Sequence, residues 1–93
     1  MRLRELQKIL RILGGHKRVE IIKLLLNGEE LSVGEIASQI KLSHTATSKH
    51  VVMLRQAGLL DRRQAGFEAK YWLEKALPHQ LAALVKLIRK ASN

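Results

Sequence analysis

The sequence has no cysteine, a single proline, and only one each of phenylalanine, tryptophan and tyrosine. Without cysteine, a disulfide framework, a thiolate metal site, a thiol redox sensor and a cysteine nucleophile are all excluded. No apolar run approaches the ~20 residues of a membrane-spanning helix, and the N-terminal segment is too charged for a signal-peptide core. These absences predict a cytoplasmic protein with no membrane partner.

Acidic residues are also scarce, since eight Asp and Glu stand against 17 Lys and Arg, a net charge of +9 over 93 residues. Such a charge attracts polyanions, and a strongly basic balance is the first sign of nucleic-acid binding. Membrane surfaces and acidic proteins also fit the charge, so charge alone leaves the partner open. The hydrophobic share of 46% is typical of a globular protein, and the length predicts one domain, 1–93.

Apolar residues spaced by three and four predict two helices near the start of the chain and one near its end. The first pattern runs from Arg2 to Leu13 and stops at Gly14-Gly15. The second runs from about His16 to Leu26, with Asn27-Gly28 as a plausible C-terminal cap. The last runs to about Lys90 and starts near Pro78, which a first helical turn accepts.

The middle of the chain, residues 32–57, is typical of two short helices joined by a tight turn. Ser32 and Glu35 have the spacing of a capping box, in which each side chain bonds the backbone of the other residue. Ser43 is a good N-cap for a second helix that runs to about Gln56. Before them, Leu31 allows no more than one or two residues of strand.

A β-hairpin is predicted over residues 59–73. Two short stretches with strand character, 59–64 and 69–73, are joined by a glycine-containing loop over 65–68. The predicted order is α-α-(β)-α-α-β-β-α, which is mostly α with a small β-hairpin. A two-stranded basic ribbon after a helix-turn-helix is the geometry of a winged helix-turn-helix, with the hairpin as its wing.

The second helix of a helix-turn-helix lies in the major groove, where its N-terminal residues meet base edges. Thr47, Val51 and Leu54 share one face by their spacing, which leaves small polar and imidazole side chains facing outward. Such side chains suit hydrogen bonds to bases or phosphates. The predicted DNA-binding residues of this helix are Ser43, His44, Thr45, Ser48, Lys49 and His50. For His50, a structural hydrogen bond at the junction of helix and wing is the alternative.

The wing carries the second set of predicted DNA contacts. Arg62 and Arg63 lie on its first strand and Lys70 on its second. These side chains are expected to follow the phosphate backbone or to enter the adjacent minor groove. Trp72, on the same strand as Lys70, either marks a ligand pocket or packs against the fold.

Several segments share a family pattern. These are residues 31–37, 42–50, 54–60 and 62–66, together with Tyr71, and the most specific part is Ser48-Lys49-His50 followed by Leu54 and Ala57-Gly58-Leu59. Over roughly residues 13–73 the sequence resembles the ArsR-type winged-helix transcriptional repressors, although Thr47 stands where that family usually has valine or a similar apolar residue. The resemblance implies a homodimer formed by the first and last helices, an inverted-repeat operator in double-stranded DNA, and repression relieved by an inducer.

The apolar stripes of the two terminal segments, 1–13 and 78–91, also favour a dimer. A two-fold dimer would cover both stripes and would set the two recognition helices about one DNA turn, ~34 Å, apart. The predicted dimer-interface residues are Leu3, Leu6, Leu10, Leu81, Leu84 and Ile88. The alternative is that these side chains close the core of a single protomer.

Many ArsR-type proteins sense metals, but the ligands of the family's sites are missing. One such site uses cysteines, and the other uses Asp, His and Glu on the last helix, where this chain has only His79. Two copies of His79 offer two ligands, whereas a closed zinc site needs four. We therefore predict no metal and no cofactor, and the inducer remains unidentified.

Enzyme chemistry finds no support, because the single aspartate, Asp61, lies on the wing and no nucleophile triad or phosphate-binding loop accompanies it. The leading hypothesis is a sequence-specific, dimeric DNA-binding repressor. One alternative is an architectural protein that coats DNA without sequence preference, which the high charge favours. The other is a winged-helix module whose basic wing contacts an acidic protein.

Overall fold

The computed structural model describes residues 1–91, so Ser92 and Asn93 of the predicted domain lie outside the described residues. Within them, helices and strands follow the predicted winged helix-turn-helix order. The elements are α1 (Leu3–Leu13), α2 (His16–Leu24), β1 (Leu31–Ser32), α3 (Val33–Ile40), α4 (His44–Gln56), β2 (Leu60–Ala65), β3 (Glu68–Leu73) and α5 (His79–Lys90).

The core is aliphatic, and every helix contributes to it. Fully or almost fully buried side chains come from α1 through α5 and from the start of the wing. They include Ile12, Ile21, Ile22, Leu25, Ile36, Val51, Leu54, Leu59, Leu84 and Ile88. Among residues 1–91, no helix is long and apolar enough to cross a membrane.

Two serine caps set the geometry of the helix-turn-helix. Ser32 Oγ accepts the N–H of Glu35 at 3.1 Å, and the Ser32 N–H donates to Glu35 Oε1 at 2.9 Å, which confirms the predicted capping box. Ser43 Oγ accepts the N–H of Ala46 at 3.1 Å, as predicted for the N-cap of α4. Between them, Lys41 adopts a left-handed backbone with φ of 57°, which turns the chain from α3 into α4.

The wing is a tighter hairpin than predicted. Ala65 pairs with Glu68, so only Gly66 and Phe67 form the turn, and β2 covers 60–65 rather than 59–64. Gly66 has φ of 68°, a left-handed value that a two-residue hairpin turn requires at its first position. The third strand of the sheet is β1, which pairs with β3 through Leu31 and Tyr71.

The end of α2 and the start of α5 differ from the predictions. The N–H groups of Leu25 and Leu26 reach carbonyls three residues back, on Ile22 and Lys23, so the helix tightens and ends at Leu24 instead of Leu26. Leu25 is nevertheless fully buried. The apolar pattern therefore predicts which side chains are buried, but it does not predict where the helix ends. Pro78 is the N-cap of α5 and lies just outside its first turn.

Candidate nucleic-acid interface

The N-terminal half of α4 presents polar side chains to solvent. Thr47, Val51 and Leu54 are completely buried, which is the inward face that their spacing predicts. His44, Thr45 and Lys49 are exposed, together with the cap residue Ser43, whereas Ser48 is half-buried. The N-terminus of a helix carries partial positive charge, so this exposed turn favours contact with an anion.

His50 sits apart from this exposed turn. Its imidazole is half-buried, and burial together with the nearby Arg18 guanidinium lowers the pKa of His50 below its usual 6.5. Arg18 itself donates to the Met53 sulfur at 2.8 Å and to the Arg11 carbonyl at 3.0 Å. Burial and the Arg18 charge therefore both favour the neutral form of His50.

The three predicted wing cations differ in their partners. The Arg62 guanidinium lies 5.8 Å from the centre of the Tyr71 ring, and its Nη2 donates to Gln64 Oε1 at 2.8 Å. The ring stacks on the guanidinium without neutralising it. The Arg62 guanidinium therefore has no acidic side chain bonded to it among residues 1–91.

Arg63 and Lys70 are instead paired with acidic side chains. Arg63 Nη2 lies 2.8 Å from Glu30 Oε1, and Lys70 Nζ lies 2.6 Å from Glu35 Oε1 and 4.0 Å from Glu68 Oε2. The Lys70 hydrogen bond, followed by those from the Ser32 backbone and side chain, lowers the pKa of Glu35 to about 2. The sequence pattern does not reveal these pairs, in which Glu30 and Glu35 compete with DNA phosphates for the two cations.

A groove of about 360 Å³ separates the start of α4 from the tip of the wing. Its lining residues include His44 and Phe67, together with Val33, Ala69 and Tyr71. Phe67 is completely exposed, since its relative exposure reaches 104%. Our sequence reasoning missed Phe67, although an aromatic residue beside the turn glycine Gly66 was the available signal.

The predicted dimer-interface residues separate into two groups. Leu3, Leu6 and Leu10 on α1 are exposed by 70%, 40% and 56%, so they offer an apolar surface. Leu84 and Ile88 are only 2% and 5% exposed because α5 packs on the protomer's own core, so for them the core alternative applies. Leu81 is half-buried against the same core.

The exposed surface also includes two leucines that the sequence prediction omitted. Leu13 is 41% exposed at the end of α1, and Leu87 is 66% exposed on α5. We call Leu3, Leu6, Leu10, Leu13 and Leu87 the leucine patch. Within residues 1–91 no group of three or more His, Asp and Glu side chains could hold a metal ion.

Comparison with known proteins identifies a bacterial regulatory family and relatives that the chain resembles. The family model described as "Bacterial regulatory protein, arsR family" matches residues 15–62. The chain is 31% identical to the transcriptional activator HlyU of Vibrio cholerae, over 97% of this chain and 86% of that protein. It is 30% identical to the arsenical resistance operon repressor of Escherichia coli, over 84% of this chain and 67% of that protein.

Solved structures share the fold. Reduced HlyU from Vibrio cholerae matches with a TM-score of 0.76 and 30% identity, over 92% of this chain and 86% of that one. A homodimeric winged helix-turn-helix DNA-binding domain from Mycobacterium bovis matches with a TM-score of 0.75 and 24% identity, over 94% of this chain and 77% of that one. The second match supports the fold alone.

Proposed function

The chain belongs to the ArsR family of bacterial regulatory proteins, and on that basis we propose that it is a homodimeric repressor acting on an inverted-repeat operator. It is a DNA-binding transcriptional regulator with a winged helix-turn-helix fold. The observation that carries the proposal is the groove between His44 and Phe67, which separates the recognition helix from the wing.

In the proposed complex, the N-terminal turn of α4 enters the major groove of the operator. His44, Thr45 and Lys49 are exposed there and reach base edges and phosphates, while Ser43 caps the helix. Ser48 is half-buried and contributes through its hydroxyl group at the margin of this surface. One DNA backbone then runs through the groove beside His44, since a phosphate strand divides the major groove from the minor groove.

On the far side of that backbone, the wing meets the minor groove. Arg62 supplies a guanidinium with no acidic partner among residues 1–91, and Phe67 at the tip supplies an apolar contact to sugars or base edges. Arg63 exchanges Glu30 for a DNA phosphate, and Lys70 likewise exchanges Glu35 for a DNA phosphate. We propose that the wing contributes mainly to the affinity for DNA, whereas the recognition helix determines which DNA sequence is preferred.

The proposed dimer forms through the leucine patch on α1 and α5. Exposed leucines on α1 and α5 are apolar side chains that a second copy can cover with the same residues, as a two-fold interface requires. The proposed segments are 1–13 and 78–91 for dimerisation, 32–57 for the helix-turn-helix and 59–73 for the wing. The proposed single domain is 1–93, of which Ser92 and Asn93 lie outside the described residues.

Repression requires only that the bound dimer occlude a promoter. HlyU is named an activator and the Escherichia coli relative a repressor, so both directions occur among the relatives. A reporter with the operator across the promoter separates them, because a repressor lowers expression and an activator raises it. We give the protein no catalytic role and place it in the cytoplasm, where bacterial DNA lies.

Selection of bound sequences from a random pool of double-stranded DNA at physiological salt tests the proposal. An enriched inverted repeat with half-sites about one turn apart is the expected result. Binding without an enriched motif would favour an architectural DNA-coating protein, which the net charge of +9 makes the second candidate. Absence of any DNA binding, even at low salt, would instead favour contact with an acidic protein.

A further inference from the structure

The side chain of Arg18, on α2, bonds to two other helices. Its Nη1 donates to the main-chain carbonyl of Arg11, in the last turn of α1, at 3.0 Å. The same nitrogen donates to the sulfur of Met53 on α4 at 2.8 Å. After burial, the charge of this guanidinium is what lowers the pKa of His50, three residues before Met53. One side chain therefore joins the first helix to the recognition helix.

Few other side chains hold α1 in place. Ile12 is the only buried residue of this helix, and half-buried Ile9 packs against the core. In the first turn, Glu5 Oε2 accepts a hydrogen bond from Gln80 Nε2 of α5 at 3.0 Å. Arg18 adds a polar link at the last turn of α1, which carries two residues of the leucine patch.

Arg18 occupies this position without a counter-charge. No acidic side chain bonds to it among residues 1–91, and its buried Nε has no hydrogen-bond partner among them. Burying a guanidinium nitrogen without a partner costs free energy. The arrangement therefore favours a role in fixing the geometry of the helices over a role in stability alone.

The junction of α1 and α2 leaves room for the guanidinium. A Cβ atom at Gly15 would lie 2.6 Å from Nη2 and 2.7 Å from Cζ of Arg18, so Gly15→Ala would displace the guanidinium. The backbone of Gly15 is extended, with φ of −108° and ψ of 101°, and any residue can adopt it. At Gly14, by contrast, a Cβ atom would make only ordinary contacts at 3.5 Å.

From these contacts we propose that Arg18 is a positioning residue for DNA recognition. It holds α4 at a fixed place relative to α1, and so sets the distance between the two recognition helices of a dimer joined through the leucine patch. This inference rests on the proposed function. One extra base pair moves a half-site by about 3.4 Å and turns it by about 35°. Releasing Arg18 should therefore relax the preference for one half-site spacing.

Operators of graded spacing test this consequence. Anisotropy titrations compare the selected operator with duplexes that have one base pair more or one fewer between the half-sites. We expect the parent to prefer its own spacing by about tenfold, and Arg18→Gln by about threefold or less. Arg11→Gln is the matched control, because it removes the same charge from an exposed side chain and keeps the carbonyl that Arg18 binds. It should retain the parent's ratio.

A distance measurement without DNA separates this inference from the proposed function. The chain has no cysteine, so Lys8→Cys on α1 and Gln56→Cys on α4 place one nitroxide label on each helix at an exposed site. Dilution with unlabelled protein leaves the distance within one protomer, which pulsed electron paramagnetic resonance measures. Without further change, or with Gly14→Ala, the distribution should be narrow. Arg18→Gln and Gly15→Ala should each broaden or shift it.

The two disruptive substitutions should act through the same contact. Gly15→Ala should add no further change to the Arg18→Gln protein, because no guanidinium remains to displace. A parent that binds no inverted repeat would refute the proposed function, and the label distances would then decide on Arg18 alone. An unchanged label distance in Arg18→Gln and Gly15→Ala would overturn the inference. So would an unchanged spacing ratio in Arg18→Gln on an operator whose spacing the parent prefers.

Discussion

Lys70 Nζ lies 2.6 Å from Glu35 Oε1, so one ion pair joins the second strand of the wing to the first turn of α3. The same carboxylate oxygen accepts the backbone N–H of Ser32 at 2.9 Å, which starts that helix. Glu35 therefore helps to cap the helix-turn-helix and to hold the wing beside it. Its role is structural in the free protein, and Lys70 is less available to DNA than its position on the wing suggests.

The Glu35 pairing predicts a specific pH dependence of stability. The pKa of Glu35 falls from 4.5 to about 2 on folding, so its contribution is present above pH 4.5 and is lost as the pH falls toward 2. Glu35→Gln should melt at a lower temperature than the parent near neutral pH. The gap between the two melting temperatures should narrow below pH 4.5, and a gap that stays constant down to pH 2 would contradict this assignment.

Thr47 provides a test of the core. Its hydroxyl oxygen is completely buried and has no hydrogen-bond partner among the described residues. Thr47→Val keeps the shape and removes the unpaired polar group, so it should raise the free energy of unfolding by about 1 kcal/mol. Thr45→Val on the exposed face of the same helix should change it by less than about 0.5 kcal/mol. Urea titration measures the free energy of unfolding of both variants, and a value for Thr47→Val below that of the parent would refute the prediction.

Recognition-helix variants should lose affinity for the operator selectively. His44→Ala and Ser48→Ala should each cost roughly 1–3 kcal/mol on the selected operator and leave binding to random DNA almost unchanged. Gln56→Ala, an exposed site at the other end of α4, is the control and should bind both DNAs as the parent does. Fluorescence anisotropy measures all of them. Equal losses on operator and random DNA would argue against base contacts by this helix.

The wing should show a different pattern, governed by its ion pairs. Arg62→Ala should weaken binding to all DNA sequences equally and reduce the slope of log affinity against log salt by about one. The reason is that the Arg62 guanidinium has no acidic partner among residues 1–91. Arg63→Ala should weaken DNA binding less, since Glu30 competes with the DNA for Arg63. Glu30→Gln should then raise DNA affinity.

The control for Glu30→Gln is Glu20→Gln, which makes the same change of charge at an exposed site paired with Lys17. It should raise affinity less, because that pair lies on α2 rather than beside the wing. If both variants raise affinity equally over a range of salt concentrations, net charge rather than release of Arg63 explains the effect.

The leucine patch predicts how the dimer can be broken without unfolding the protomer. Leu10 is 56% exposed, so Leu10→Glu should leave the fold intact while placing an unpaired carboxylate in the interface. Its dimer dissociation constant should rise at least about tenfold. The control variant Phe67→Glu, at the exposed wing tip, should have the same dimer dissociation constant as the parent. Sedimentation equilibrium measures the dimer dissociation constants of both variants and of the parent. An unchanged constant for Leu10→Glu would show that the interface does not include Leu10.

Local features were predictable from the sequence, because their signals lie within a few residues. The Ser32–Glu35 capping box, the Ser43 cap and the buried face of Thr47 all follow from spacing along one helix. The ion pairs of the wing were not predictable, since Lys70 and Glu35 are 35 positions apart and meet only in the folded sheet.

Helical spacing also fails to say which surface covers an apolar face. Leu10 and Ile88 obey the same periodicity, yet Leu10 faces solvent and Ile88 faces the core. Their difference depends on how α1 and α5 pack against α2, which no local pattern encodes. Phe67 was overlooked for a related reason, because its exposure follows from the two-residue turn at the wing tip.

The central claim, sequence-specific binding, is tested most directly by one ratio of affinities at physiological salt. The parent protein is titrated by anisotropy with the selected operator and with the same duplex after both half-sites have been scrambled. We predict that the operator binds at least about 10³-fold more tightly, which is the range of specific regulators. A ratio near one would contradict the account, since the basic surface would then bind DNA through its phosphates alone.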